Sequence, residues 1–238
     1  VTFIDGIKRR LHRDIVADPV LHGLVLNLYL NGERYPQQVD DYFPIADVTD
    51  AVLAGQMRTH VEDEQKHVLL YEKAIAKLEQ PVVQLSAGDI FNEVIRSHTG
   101  VSFKIDSRDT TDARTLKLAH FLAHVHFLEK RVARSLEFHV EACAHSPSDY
   151  SQKAVMAVLK DEGRHVRYTR EAVEGLLPSR VAGKVLDWHA RAERRANLDF
   201  SAKQLRRLTR DRHGLFTPGR RFAYRTCAAI LNVALYAS

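Results

Sequence analysis

The chain has 238 residues, 45% hydrophobic and 27% charged, with two cysteines, Cys143 and Cys227. That length can bury a substantial core, and the balance excludes a disordered, collagenous or disulfide-scaffolded chain. The net charge of +5 is uneven: residues 179–238 carry 13 Lys+Arg against 4 Asp+Glu, a balance of +9 against −4 for the remainder.

Two cysteines in so long a chain fit a reducing cytoplasm. No basic-then-apolar leader opens it. The longest nearly apolar run, residues 226–237, is too short to cross a bilayer and contains Asn232. Helical periodicity prevails throughout, so the chain reads as all-α. A short helix fits residues 2–16, ending near Asp18-Pro19. A long helix follows over about 19–43, with Pro36 inside as a kink or wide turn and Pro44 as its end. Asp47 is the expected cap of a second long helix over about 47–79. Residues 80–110 form a long connection with a short helix near 87–97. A third long helix covers about 111–145, starting at a Thr-Thr-Asp cap signal. His145-Ser146-Pro147-Ser148 separates it from a fourth, about 149–176. Three stretches, 179–197, 201–212 and 217–236, complete the chain. A 30-residue connection can run the length of a bundle and leave the second and third long helices parallel.

Residues 61–71 read VEDEQKHVLLY and residues 159–169 read LKDEGRHVRYT. Each contains Asp-Glu-x-x-His followed by Val: Asp63, Glu64 and His67, then Asp161, Glu162 and His165. A Glu-x-x-His pair arises roughly 0.7 times by chance in this composition, so the duplication carries the signal. Glu and His three apart share a helical face. Here those faces also carry Met57, Val68, Tyr71 and Ile75, or Val155, Val158 and Val173. Buried carboxylates are costly unless paired or metal-bound. Two further carboxylates lie on apolar stripes: Glu33, 31 residues before Glu64, and Glu129, 33 before Glu162.

This double pattern, over about residues 19–176, resembles the ferritin-like di-iron carboxylate superfamily, which includes bacterioferritins, rubrerythrins, acyl-carrier desaturases and bacterial hydroxylases. The resemblance implies a four-helix bundle with one long crossover (residues 1–178, including the N-terminal helix) and a basic helical extension (179–238) packed on it. It implies Glu33, Glu64, His67, Glu129, Glu162 and His165 as ligands of two iron ions, with manganese or a mixed pair as alternatives. Glu64 and Glu129 would bridge or chelate in a combination the sequence leaves open. Asp63 would orient His165, and Asp161 would orient His67.

The implied activity is oxidation or hydroxylation of a small apolar organic substrate by O2, with an external electron donor. The alternatives are a ferroxidase handling iron or peroxide, and a tRNA-modifying hydroxylase. Helix polarity gathers Tyr29, Tyr71, Ala133, Leu136 and Val158 at one end of the metals as the expected pocket. His60 and His126, one turn from Glu64 and Glu129, are candidate accessory residues. The basic C-terminal helices leave a homodimer contact, nucleic acid or a membrane surface open as partners.

Overall fold

A computed structural model describes residues 3–39, 42–144 and 149–237. These are helical, with eight α-helices and no strand among the described residues. They are α1 (Phe3–Val16), α2 (Pro19–Gln38), α3 (Ala51–Lys77), α4 (Phe91–Thr99), α5 (Thr111–Cys143), α6 (Asp149–Leu176), α7 (Ser179–Asp211) and α8 (Pro218–Tyr236). The expected break at 145–148 lies outside the described residues.

Local chemistry sets most of the helix starts. The Asp18 carboxylate accepts from the amides of Val20 and Leu21, with Pro19 in the first turn of α2. Asp50, not Asp47, caps α3: its Oδ1 accepts from Val52 N at 2.7 Å and Leu53 N at 3.1 Å. Asp47 instead pairs with Arg114 across to α5. Thr110 caps α5, as its cap signal implies. Helix α2 ends at Gln38, short of the expected Phe43. Tyr42, Phe43, Ile45 and Val48 leave the helical pattern to pack on an apolar cluster of α3, α5 and α6. Pro36 lies in the last turn of α2 and cannot donate to Gly32 O. Asn92 of α4 supplies the missing donor at 3.3 Å.

The region 179–212 is one helix rather than two. No Gly or Pro stands at the expected break, residues 198–200, and Leu198, Ala202, Leu205 and Leu208 bury a continuous stripe against α1, α2 and α8.

Side-chain pairings give the helix directions. Tyr29 meets Tyr71, with the rings tilted, while Glu33 meets His67, so α2 and α3 are antiparallel. His60 meets Tyr168 while His67 meets Asp161, so α3 and α6 are antiparallel. His126 reaches Val166 O on α6, while Leu136 packs with Val155 and Val158, so α5 and α6 are antiparallel. Helices α3 and α5 therefore run parallel, joined by residues 78–110.

The first part of that connection lies extended along α2. Asn27 and Asn31, one turn apart, act as a polar ladder for it. Asn27 donates to Pro81 O and accepts from Val83 N; Asn31 donates to Val83 O and accepts from Leu85 N. Four helical residues rise about 6 Å and two extended residues about 6.6 Å, so the two periods match. Gly23 permits the close start of this contact, because a Cβ there would lie 2.6 Å from the Gln80 side chain.

Two apolar clusters, one around Met57, Phe121, Leu122 and Val173, the other around Leu30, Tyr71, Leu136 and Val158, occupy different levels of α3, α5 and α6. A polar layer lies between them.

Asn31→Ala leaves Leu85 N and Val83 O without their partners. It is expected to destabilise the chain by about 1–3 kcal/mol in urea unfolding, with little loss of helical circular dichroism.

Candidate metal centre

The polar layer contains both pentads. Asp63, Glu64 and His67 lie midway along α3, and Asp161, Glu162 and His165 lie opposite on α6. Glu33 of α2 and Glu129 of α5 complete it, and all eight side chains are buried. The structure therefore brings together every residue expected as a ligand or as an imidazole orienter.

The two histidines are held in crossed fashion. His67 Nε2 donates to Asp161 Oδ2 at 3.3 Å, and His165 Nε2 donates to Asp63 Oδ2 at 3.2 Å. Each histidine thus uses the Asp of the other pentad. Two basic side chains close the network at its outer edge. Lys66 bonds Asp161 and lies 3.4 Å from Asp63; Arg164 bonds Asp161 at 2.6 Å and Asp63 at 2.8 Å. Despite burial, Lys66, Arg164 and His67 hold Asp161 well below the ordinary carboxylate range. Asp63, also buried, is lowered by His165 and Arg164. Both aspartates are therefore ionised acceptors. Lys66 and Arg164 were legible in the sequence: a basic residue immediately precedes the His in each pentad, completing Asp-Glu-x-(Lys/Arg)-His.

With Nε2–H committed to Asp, each imidazole turns Nδ1 inward. His67 Nδ1 is 3.1 Å from Glu33 Oε2 and 3.7 Å from Glu162 Oε1; His165 Nδ1 is 3.2 Å from Glu162 Oε2. A lone pair facing a carboxylate oxygen is repelled unless a cation, either a proton or a metal ion, lies between them. Ligands about 2.1 Å from one ion lie about 3 Å apart when adjacent in an octahedron, so this spacing suits a metal. Two triads bring one ligand atom from each residue within 4.8 Å of one another: Glu33, His67 and Glu162, and His60, Glu64 and His165. Glu162 spans both histidines. Glu64 belongs to the second triad, and Glu33 bears on it by charge and hydrogen bond. Glu129 lies 3.6 Å from His60 and bears on Glu162 by charge and hydrogen bond.

Charge is unbalanced here. Burial first, then the neighbouring carboxylates, push Glu64 and Glu162 well above the ordinary value. Glu129 is held below it by His60 despite burial. His67 is buried but raised by Glu33 and Asp161, whereas burial and the charge of His60 pull His165 down to about 3. Glu162 Oε1 is buried with no hydrogen-bond partner among the described residues. Four carboxylates, inward imidazole nitrogens and an orphaned buried oxygen fit a pair of cations with oxygen and imidazole ligands, the donor set of iron or manganese.

The accessory expectations divide. His60 joins the centre: its Nε2 is 3.1 Å from Glu64 Oε1, its Nδ1 is 2.8 Å from Tyr168 Oη, and its ring stacks on His165 at 3.6 Å. His126 is apart, donating from Nδ1 to Val166 O at 2.9 Å.

Of the residues expected around a pocket, Tyr71, Leu136 and Val158 are fully buried in a packed cluster. Tyr29 lines a cavity. That cavity, about 170 Å³, opens on the other flank, between α1, α2, α5 and α7. Its wall includes Glu33, Glu64 and Glu129, and its apolar lining includes Ile15, Val25, Leu128, Val132 and Leu205. The contributions of α1 and α7 depend on how distant segments dock, which helix polarity does not report.

The chain matches no protein-family model, no curated protein and no solved structure.

In the metal-free chain, the raised Glu64 and Glu162 hold more protons folded than unfolded once pH exceeds the ordinary carboxylate value. By linkage, their contribution makes stability fall as pH rises. The double replacement Glu64→Gln and Glu162→Gln removes that term. Compared with the metal-free parent, it is expected to gain stability between pH 5 and pH 8, reaching about 1–4 kcal/mol at the upper end, as read by chemical unfolding at each pH.

Proposed function

We propose that this chain is a ferritin-like four-helix bundle carrying a dinuclear iron centre, and that it uses O2 to oxidise or hydroxylate a small apolar organic molecule. The observation that carries this reading is the buried facing of two Nδ1 atoms and four Glu carboxylates, with the imidazoles pinned from behind by crossed aspartates. The parallel α3 and α5 with their long connection support the bundle topology.

Glu33, Glu64, His67, Glu129, Glu162 and His165 would hold the metals. When bound, the iron pair supplies the electrons and the oxidising power for O2 chemistry. The protein supplies position, dryness and protons. Asp63 and Asp161 keep both Nδ1 atoms aimed inward. His60, between Glu64 and Tyr168, offers a path for a proton along two hydrogen bonds. The cavity brings an apolar substrate against the Glu33, Glu64 and Glu129 side of the centre and excludes water through its Leu, Ile and Val lining. Lys8, which donates to Asn197 at 2.7 Å, and Arg131, paired with Glu193, supply polar contacts in the wall.

The cavity favours an organic substrate over iron storage. Among the basic C-terminal residues, Arg207 pairs with Asp89, Lys203 with Asp199 and Arg220 with Asp14, which supports a packing role over nucleic-acid binding. No helix of the described residues is long and apolar enough to cross a membrane.

Anaerobic loading is expected to give about two irons per chain, with O2 consumed after reduction. Glu64→Ala and Glu162→Ala should lose both. Val132→Phe, which fills the cavity wall, should keep the iron. It should also lower product formation from straight-chain and aromatic test compounds at least tenfold by mass spectrometry, roughly a 1.4 kcal/mol effect. A parent protein that binds no iron contradicts the reading.

A further inference from the structure

A second buried cluster, separate from the carboxylate centre, brings ligating atoms together. His22, His139 and Cys143 place one ring nitrogen each and the sulfur all within 4.8 Å of one another. His22 stands in the first turn of α2, whose start is fixed by the Asp18 cap. His139 and Cys143 are one turn apart near the end of α5 and share a face. None of the three is more than 1% exposed.

His22 Nε2 faces His139 Nε2 at 3.0 Å, with the rings tilted by 48°. At that distance two nitrogen lone pairs need a shared proton or a cation. Among the described residues, no carboxylate bears on the charge of His22, His139 or Cys143. Burial alone lowers His22 to about 4 and raises Cys143 to about 11, and His139 is lowered by burial and by the neighbouring histidines. The oxygen beside the cluster is the Tyr29 hydroxyl, 3.4 Å from His139 Nδ1 and 3.3 Å from His12 Nε2.

We propose that His22, His139 and Cys143 form a mononuclear copper(I) site, independent of the carboxylate centre. Three features select this ion. The thiolate is a soft donor and, with two imidazoles, suits copper(I) over the oxygen-seeking cations. Three donors complete a trigonal copper(I) site, whereas structural zinc takes four ligands. A monovalent ion on a thiolate is neutral overall, so no net charge is buried in a pocket without counter-ions, whereas zinc(II) would leave one positive charge there. Binding forms one Cu–S and two Cu–N bonds and releases the thiol proton to solvent; no electron is transferred.

The test is anaerobic titration of the metal-free full chain against copper(I) held by bicinchoninate. The chain is expected to withdraw one copper(I), with X-ray absorption showing one sulfur and two nitrogen neighbours. Cys143→Ser and His139→Gln should each weaken binding by about 100-fold, the upper end of what loss of even an outer partner costs a metal site. Cys227→Ser, and the Glu64→Ala and Glu162→Ala double variant, should retain it. That last variant separates this site from the dinuclear reading, since either can fail alone. Failure to withdraw copper, retention of full affinity in Cys143→Ser, or a spectrum without sulfur overturns the proposal. The spectrum is read on the unsubstituted chain and does not depend on any variant folding.

Discussion

The crossed hydrogen bonds His67–Asp161 and His165–Asp63 are the constraint on which the rest of the centre depends. Each joins α3 to α6, so together they fix the register of the two helices. Each also commits Nε2–H outward and leaves Nδ1 facing the carboxylates. Lys66 and Arg164 sit over both aspartates and keep them ionised, which keeps them acceptors. Without these cations, two aspartates so close together would favour taking up a proton, and a protonated Asp can no longer orient an imidazole as firmly.

Concentrating carboxylates in a helical interior works against stability. Glu64 and Glu162 respond by binding protons, and Glu129 by leaning on His60. The fold tolerates this polar layer because packed apolar layers lie on both sides of it. On one flank packing is complete, so Tyr71, Leu136 and Val158 form a wall. On the other, α1 and α7 bridge the bundle without filling it, and the cavity reaches three of the four glutamates. The proposed chemistry therefore has a closed side and an open side, and the helices beyond α2, α3, α5 and α6 create the open side.

How much of this was legible in the sequence follows from the range of each signal. The pentads are local and repeated, so the buried Glu and His residues could be located from the sequence, while their naming as candidate ligands and the crossed Asp–His pairing came from the family resemblance. Helix existence was equally plain, and the start of α5 could be read from its Thr-Thr-Asp signal. The end of α2 and the continuity of α7 could not, because both are decided by where Tyr42, Phe43, Leu198 and Leu205 find partners. The cavity beside Glu33, Glu64 and Glu129 was not legible for the same reason: an apolar stripe reads the same whether its neighbours fill the space or leave a void. The histidine–cysteine cluster joins residues more than a hundred positions apart, and neither half forms a motif. Lys66 and Arg164 were present in the repeat, visible once the position before each His is compared.

The most direct test of the central claim is anomalous diffraction from crystals grown with iron. The account predicts two adjacent iron peaks inside the layer formed by α2, α3, α5 and α6, beside His67 Nδ1 and His165 Nδ1 and the four glutamates. Crystals at full iron exposure with no peak there, and with both Nδ1 atoms hydrogen-bonded to protonated glutamates, would contradict it.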